Sequence, residues 1–119
     1  MSRVAALHLL CKHSGSRNPT SRRTGQSTAN VTKESAHEEL KGYIAKLQGL
    51  SGADLKAKFE EFAKERSDCG TFSRGGDLGE FGPGEMQKQF EDATYALKAG
   101  EMSGIVDSDS GSHIILRYA

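Results

Sequence analysis

A continuous apolar run near the N-terminus, VAALHLLCK from Val4 to Lys12, constrains the possible folds of this chain more than any other stretch. An apolar run of this length, bounded by polar residues, is typical of a strand that is buried on both faces. No small-residue cleavage pattern follows it, so it predicts a central strand and not a signal peptide. No apolar run approaches the roughly 18 residues that a membrane-spanning helix needs, and no membrane contact is expected.

The segment that follows this strand is strongly basic. Residues 14–31 are rich in Ser, Thr, Asn, Gly and Arg and offer almost nothing to a core, which predicts a long loop. Residues 1–33 carry six of the sixteen Lys and Arg residues and no Asp or Glu, because the first acidic residue is Glu34. In a chain whose formal net charge is zero, this local excess indicates an anion-binding site, whereas general affinity for nucleic acid is not expected.

Two amphipathic patterns follow the loop. Thr32 suits the N-cap of a helix over about 33–48. Ser51, with Asp54 three residues later, suits the start of a second helix over about 52–65. Helical spacing of the apolar residues predicts one buried face on each helix.

The second half of the chain predicts a third helix and two strands. The segment GGDLGEFGPGE is interpreted as a glycine-rich turn, and Pro83 suits the first turn of a helix that Gly100 ends. Residues 104–106 and 113–118 predict two closing strands, joined by the hairpin-like DSDSGS. The element order therefore predicts a single α+β domain over 1–119, in which helices cover a small sheet.

The two cysteines, Cys11 and Cys69, are far apart in the chain and form no C-x-x-C pair. Without a secretory signal, we expect free thiols in a reducing compartment. A zinc site built from both cysteines with His8 and His113 would lack the close ligand pairs that are typical of zinc. We therefore expect no metal and no other cofactor.

Four residues have the chemistry for a polar site inside this domain: His8, Cys69, Ser108 and His113. A histidine on an apolar strand is by default a core residue with satisfied hydrogen bonds, but two histidines on neighbouring strands can bond to each other. A Cys–His hydrolase also needs an orienting third residue and an oxyanion hole, which the sequence does not indicate. Met86 and Phe90, one helical turn apart, are by default core residues, or they line an apolar cup beside a cleft.

A resemblance to a known family lies in three segments: HLLCKHSGSRNP near the start, SDCGTFSRGGDLGEFGPGEMQKQFEDATYALKAGEMSGIV in the second half, and DSGSHIILR at the end. Together they resemble the parvulin family of peptidyl-prolyl isomerases, in the same order and across nearly the whole chain, from Val4 to Tyr118. The basic loop resembles that of the Pin-type branch, which isomerises phosphoSer–Pro and phosphoThr–Pro bonds. The resemblance implies a four-stranded, mainly antiparallel sheet covered by about four helices.

The resemblance also implies roles for individual residues. The implied catalytic residues are His8, Cys69, Ser108 and His113. The implied proline pocket consists of Leu78, Met86 and Phe90. The implied phosphate-binding residues are Lys12 and, within the loop over 14–31, Arg17, Arg22 and Arg23.

Two features depart from the Pin-type pattern. Asn18 stands where the branch often has a second arginine next to Arg17, so we expect Arg22 or Arg23 to replace it. The sequence contains no Trp, so the N-terminal WW module that often accompanies such domains is expected to be absent.

The resemblance implies a monomeric, non-hydrolytic isomerase that binds the twisted amide state of phosphorylated proteins in the cytoplasm and nucleus. Cys69 either attacks the carbonyl or tunes the electrostatics around it, and tuning is favoured because nothing in the sequence guarantees an activated thiolate. The main rival is a non-catalytic phosphopeptide-binding module, in which the arginines hold the ligand and the polar cluster only makes the core rigid.

Overall fold

The computed structural model of the protein describes residues 3–119, so the predicted domain over 1–119 includes two residues outside the described range. Within this range, three α-helices and four strands form the fold, together with one short 3-10 helix over Gly70–Arg74. The elements, in chain order, are β1 (Val4–Cys11), α1 (Lys33–Leu47), α2 (Gly52–Arg66), the 3-10 helix, β2 (Asp77–Phe81), α3 (Lys88–Tyr95), β3 (Val106–Ser108) and β4 (Gly111–Arg117).

The sheet confirms the predicted α+β class and the central position of the first strand. Its order is β2-β1-β4-β3, so β1 lies between two neighbours. Every pairing of these strands is antiparallel. The helix count is three rather than about four, because the segment after α2 forms only the short 3-10 helix.

The glycine-rich segment was wrongly predicted as a turn, because it contains strand β2. At Gly76, just before this strand, φ is +82° and an added Cβ would lie 2.1 Å from the His8 carbonyl oxygen. Only glycine tolerates such a close backbone approach with a positive φ. The same approach lets the His8 N–H donate to the Gly76 carbonyl at 2.9 Å, which begins the pairing of the two segments.

The third helix is shorter than predicted at both ends. It spans Lys88–Tyr95 and does not extend from Pro83 to Gly100. Residues 82–87 instead form a turn, in which the Glu85 carboxylate accepts a backbone N–H at 2.8 Å. Gly100 lies beyond the helix and donates its N–H to the Arg117 carbonyl of β4 at 2.7 Å. The two ends of the predicted helix are therefore not helical: the first forms a turn, and the second is bonded to β4.

The first two helices begin as predicted, although only one of the two caps is made. Thr32 is the N-cap of α1 and accepts the Ser35 N–H through its side chain. Ser51 is the N-cap of α2, but its side chain makes no capping hydrogen bond. None of the helices within residues 3–119 is long and apolar enough to cross a membrane.

The two faces of the sheet pack against different helices. One face packs against α1 and α2 and contains Leu7, Leu9, Cys11, Ile114 and Leu116. The other packs against α3 and contains Val4, Ala6, Phe81 and Ile115, with Phe90 of α3 packed on them. Because side chains alternate along a strand, His8 and His113 lie on the α3 face, at the edge of this second core.

Candidate active site

The antiparallel register of β1 and β4 brings two buried histidines together. Leu10 pairs with His113 and His8 pairs with Ile115, so the two imidazoles lie diagonally across the same face. Their Nδ1 atoms are 3.0 Å apart. The rings are stacked, with centroids 5.2 Å apart. The contact that the sequence suggested for two histidines on neighbouring strands is present.

His113 is hydrogen-bonded at both ring nitrogens. Its Nε2 lies 2.6 Å from the Ser108 hydroxyl, which also accepts the Ser110 N–H at 3.2 Å. Burial, and then the neighbouring His8, lowers the pKa of His113 well below its usual 6.5, against the smaller opposing effect of Asp107. A neutral imidazole carries one ring proton, so His113 donates to one of its two neighbours and accepts from the other.

Cys69 is placed beside β1 by the two polar residues that precede it. The Ser67 hydroxyl accepts the Leu10 N–H at 3.0 Å. Asp68 donates its N–H to the Leu10 carbonyl at 2.7 Å and accepts the Lys12 N–H through its carboxylate at 2.9 Å. The segment after α2 therefore runs along the end of β1 and holds Cys69 next to the histidine pair.

The thiol of Cys69 has an unusual environment. Burial raises its pKa, but the hydrogen-bonding and electrostatic interactions with His8, and then those with Thr71, outweigh burial and lower the pKa from 9.0 to about 6. Nδ1 of His8 is engaged by His113, so the interaction with the thiol falls to the other ring nitrogen, the buried Nε2. That nitrogen is available to the thiolate, which predominates at neutral pH.

The second cysteine has the opposite character. Cys11 is buried in the core between the sheet and the first two helices, on the other face of β1 from His8. Burial is the main cause that raises its pKa to about 12, which makes it an unreactive thiol. In the described part of the chain, no group of three or more His, Cys, Asp or Glu residues is arranged to hold a metal ion.

An apolar cleft of about 280 Å³ lies over the histidine pair. The three residues predicted for the proline pocket all line it: Leu78, Met86 and Phe90. The Phe90 ring meets the edges of both imidazoles, with centroids 5.4 Å from His8 and 5.0 Å from His113. Phe90 is only 4% exposed, so it belongs to the core and to the cleft wall at the same time.

A basic pocket of about 200 Å³ lies next to this cleft. Lys12, Arg17 and Arg22 line it, together with Asn18. Arg23 does not: it lines a separate polar pocket beside Arg66. Of the four residues predicted to bind phosphate, the structure therefore brings three together.

The charges of the basic pocket are close enough to influence one another. Desolvation, and then the positive charge of Arg22, lowers the pKa of Lys12. The Lys12 ammonium is held at 2.7 Å by the Thr20 carbonyl. The Arg17 guanidinium is exposed and, among residues 3–119, has one distant ion-pair contact, 3.6 Å from Asp109. An anion in this pocket would lie near three cationic side chains, those of Lys12, Arg17 and Arg22.

The cleft and the basic pocket share two lining residues, Cys69 and Ser110. The two cavities are therefore adjacent, with the thiolate at their boundary. A peptide that places a ring in the cleft and an anion in the basic pocket would carry the bond between these groups past Cys69. This arrangement suits an extended ligand with an apolar ring directly after an acidic side chain.

Several contributors to the site were not predicted from the sequence. Ser110, Glu85 and Gln87 line the cleft, and Ser67 and Asp68 hold Cys69 in place. Ser110 lies in the segment DSDSGS, whose hairpin turn faces the cleft. The two polar residues before Cys69 are both buried, which the sequence does not indicate because serine and aspartate are usually exposed.

Comparison with known proteins agrees with this geometry. The model of the family described as "Rotamase: PPIC-type PPIASE domain" matches residues 8–118. The chain is 51% identical over 115 residues to "Peptidyl-prolyl cis-trans isomerase ESS1" of Saccharomyces cerevisiae, covering 97% of this chain and 65% of that protein. It is 52% identical over 118 residues to "Peptidyl-prolyl cis-trans isomerase Pin1" of Malus domestica, covering 98% of this chain and 93% of that protein.

A solved structure shows the same architecture along its full length. The solution structure of TbPIN1 superposes with a TM-score of 0.82 at 55% sequence identity and covers all of both chains. The family model and these relatives all concern one reaction, the rotation of peptidyl-prolyl bonds. This chain belongs to the PPIC-type, or parvulin, family of peptidyl-prolyl cis-trans isomerases.

Proposed function

We propose that this domain isomerises phosphoSer–Pro and phosphoThr–Pro bonds in phosphorylated proteins. The observation that supports this specificity is the boundary that the apolar cleft and the basic pocket share at Cys69 and Ser110. In such substrates the phosphorylated side chain directly precedes the proline, so the two groups need adjacent cavities. The bond that rotates then lies between them.

The chemical task is to lower a barrier without breaking a covalent bond. Rotation about an X–Pro bond faces roughly 20 kcal/mol because amide resonance is lost in the twisted state. An enzyme accelerates this step only if it binds the twisted state better than either planar state. Each tenfold gain in rate needs about 1.4 kcal/mol of such preferential binding, so a few moderate contacts suffice.

The cleft holds the proline end of the substrate. Leu78, Met86 and Phe90 supply an apolar wall for the ring. The Phe90 ring is fixed by the core and by the two imidazoles, so this wall is rigid. A rigid cup keeps the ring in place while the peptide group on its N-terminal side turns.

The thiolate of Cys69 acts on the carbonyl of the rotating bond. A planar amide places partial negative charge on its oxygen, and this charge decreases as resonance is lost. A fixed negative charge next to that oxygen destabilises the planar states relative to the twisted state. The pKa of about 6 supplies the thiolate that the sequence could not guarantee, and we assign it an electrostatic role, with the pair of His8 and His113 holding its surroundings in place.

The basic pocket holds the phosphate end. Arginine presents a planar fork that can grip phosphate oxygens in pairs, and lysine adds a mobile point charge. We assign these roles to Lys12, Arg17 and Arg22, which line one pocket. Arg22 then replaces the second arginine that other Pin-type domains often have at the position of Asn18. Arg23 has no role in phosphate binding in this proposal.

We also propose that the domain acts on phosphoproteins as a monomer in the cytoplasm and nucleus. Both cysteines are free. A thiol with a lowered pKa at the site is readily oxidised, so a reducing compartment suits it.

Exchange spectroscopy by NMR tests the proposed activity. A phosphoThr–Pro peptide should show cis/trans exchange cross-peaks in the presence of a small amount of the protein, and the matched Thr–Pro peptide should show much weaker ones. Binding of the phosphopeptide without exchange would instead make the domain a phosphopeptide-binding module. Equal exchange in both peptides would remove the phosphate specificity and leave the general isomerase activity.

A further inference from the structure

His13 lies in a closed turn between two residues of the basic pocket, Lys12 and Arg17. Its N–H donates to the Ser16 hydroxyl at 2.9 Å, and its carbonyl accepts the Ser16 N–H at 2.9 Å. Its Nδ1 accepts the Gly15 N–H at 3.0 Å. The side chain and the backbone of His13 therefore both contribute to the same turn.

These hydrogen bonds define the protonation of the imidazole. Because Nδ1 accepts the Gly15 N–H, the single proton of a neutral ring must be on Nε2. Nε2 is buried and has no hydrogen-bond partner within residues 3–119. The whole residue is only 6% exposed, so water does not compete for the bond at Nδ1.

The turn controls where the chain goes next. Directly after it, Arg17 donates its N–H to the Asp109 carbonyl at 2.7 Å, which attaches the loop to the β3–β4 hairpin. Lys12, on the other side of the turn, is attached to Asp68 through its own N–H. Both attachments are made by backbone N–H groups, so the turn at His13 determines the separation of the points from which the two cationic side chains extend.

We propose that His13 is a positioning residue for phosphate recognition: in its neutral form it closes the turn that directs Lys12 and Arg17 into one pocket. Its protonation opens this turn and weakens the preference for phosphorylated substrates. The inference rests on the proposed function, because the preference that it regulates belongs to that function. His13 itself does not line the pocket.

Protonation acts through Nδ1. A doubly protonated ring carries a hydrogen on Nδ1, which would point at the Gly15 N–H, so a hydrogen bond becomes a contact between two donors. Burial is the main cause that lowers the pKa of His13. The neutral form is therefore favoured at pH 7, and the turn opens only below pH 6.5.

Four charged or titratable groups surround the imidazole. Asp107 of β3 and Glu34 of α1 raise the pKa of His13, whereas Lys33 and His37 of α1 lower it. Asp107 is itself bonded to His37, at 2.9 Å, and lies 3.5 Å from the Lys33 ammonium. These charges act in opposite directions, and burial, the largest contribution, decides the direction of the pKa shift.

Asparagine offers a matched replacement at this position. The side-chain oxygen of an asparagine can accept the N–H two residues later, as His13 Nδ1 does, but it does not titrate. We therefore compare wild-type protein with His13→Asn, His13→Ala and, as a control, His37→Asn, which removes a histidine from the same group. The measured quantity is the ratio of kcat/KM for a phosphoThr–Pro peptide to that for the matched Glu–Pro peptide, from pH 5.5 to pH 8.

At pH 7.5 we expect His13→Asn and His37→Asn to keep the wild-type ratio. His13→Ala should lower it roughly three- to tenfold, as expected for the loss of one neutral hydrogen bond. As the pH falls below 6.5, the wild-type ratio should decline more than that of His13→Asn. The second ionisation of the substrate phosphate, at about pH 6, affects wild type and His13→Asn equally and cancels in this comparison.

NMR spectra of the free protein provide a readout that needs no substrate. The Gly15 amide resonance should move with the titration of His13 in the wild type and stay constant in His13→Asn. If His13→Ala does not fold, the pH comparison of wild type with His13→Asn still tests the positioning role of His13. If wild type and His13→Asn have the same phosphate preference at every pH, and the wild-type Gly15 resonance stays constant, this inference is overturned while the proposed function stands. A wild-type protein without any phosphate preference would overturn the proposed function, and this inference with it.

Discussion

His8 and His113 are joined through like atoms, Nδ1 to Nδ1, at 3.0 Å. Such a bond requires a proton on one ring and a free lone pair on the other. The second nitrogen of His113 is bonded to Ser108, while that of His8 is the one available to Cys69. The pair therefore links the Ser108 hydroxyl to His8, the residue whose interactions lower the pKa of the Cys69 thiol.

The first prediction concerns the charge of Cys69. Cys69→Ala should lower kcat/KM on phosphoThr–Pro peptides and leave their Kd nearly unchanged, because the thiolate acts on the rotating bond and not on either anchored end. Cys69→Asp restores a negative charge and should keep measurable activity. Titration calorimetry gives the Kd, and a protease-coupled assay gives the rate. An inactive Cys69→Asp variant that still folds would favour covalent attack, and an equal loss of affinity and rate in Cys69→Ala would move Cys69 into an anchoring pocket.

The second prediction concerns pH. The pKa of Cys69 is lowered to about 6, and the thiolate is the form present above that value. On a Glu–Pro peptide, whose carboxylate is largely ionised over this range, kcat/KM should rise as the pH increases from 5 to 7 and then level off. Cys69→Asp should flatten this rise, because an ordinary aspartate has a pKa of about 3.9. An unchanged profile in the variant would assign the titration to another group.

The same shift in pKa predicts a change in stability. A thiol whose pKa falls from 9.0 in the unfolded chain to about 6 in the folded protein stabilises the fold fully above pH 9. This contribution decreases as the pH falls towards 6. The free energy of unfolding of wild type minus that of Cys69→Ala should therefore increase between pH 6 and pH 9, as measured by denaturant titration. A difference that stays constant over this range would contradict the lowered pKa.

The third prediction concerns the wall of the cleft. Phe90 packs against Phe81 and against both imidazoles. Phe90→Ala should lower the free energy of unfolding by about 3–5 kcal/mol, as is usual for a buried phenylalanine. It should also slow catalysis on every X–Pro peptide, phosphorylated or not. Denaturant unfolding and a comparison of peptides check the two effects, and a folded variant with full activity would limit Phe90 to the core.

The fourth prediction uses two adjacent arginines as a matched pair. Arg22 lines the basic pocket, whereas Arg23 lines another pocket beside Arg66. Arg22→Ala should reduce the kcat/KM ratio of phosphoThr–Pro to Glu–Pro peptides, and Arg23→Ala should leave that ratio unchanged. The two variants have the same net charge, so general electrostatic attraction is the same in both. Equal effects of the two substitutions would show that the loop acts only through its total charge.

Much of the fold could be predicted because its signals are local. The apolar run of β1, the Thr32 cap and the spacing of apolar residues in α1 and α2 each lie within a few residues of one another. Strand β2 could not be predicted in this way, because its sequence is short and rich in glycine. It exists because Gly76 allows the backbone to approach His8, a contact between residues 68 positions apart in the chain.

The candidate site shows the same distinction. The identities of His8, Cys69 and His113 could be predicted from residue type and from resemblance. Their geometry depends on strand register, and the shift that makes Cys69 a thiolate depends on interactions with His8 and Thr71 that outweigh the opposing effect of burial. The choice between Arg22 and Arg23 depends on the path of the loop, which no local pattern encodes.

In the proposed function, one ligand occupies the cleft and the basic pocket together. Removal of the Arg17 side chain tests this arrangement. Its guanidinium is exposed and, in the described part of the chain, forms one ion-pair contact, at 3.6 Å with Asp109, so we expect its removal to leave the fold intact. The measurement is kcat/KM of wild type and Arg17→Ala on matched phosphoThr–Pro, Glu–Pro and Thr–Pro peptides, at low and high salt. We expect Arg17→Ala to lower the rate on the phosphorylated peptide roughly 10- to 100-fold, the range for one charge-assisted contact. The rate on Thr–Pro should change little, and high salt should weaken the wild-type preference. An equal loss on all three peptides, or no loss on any, would contradict the account.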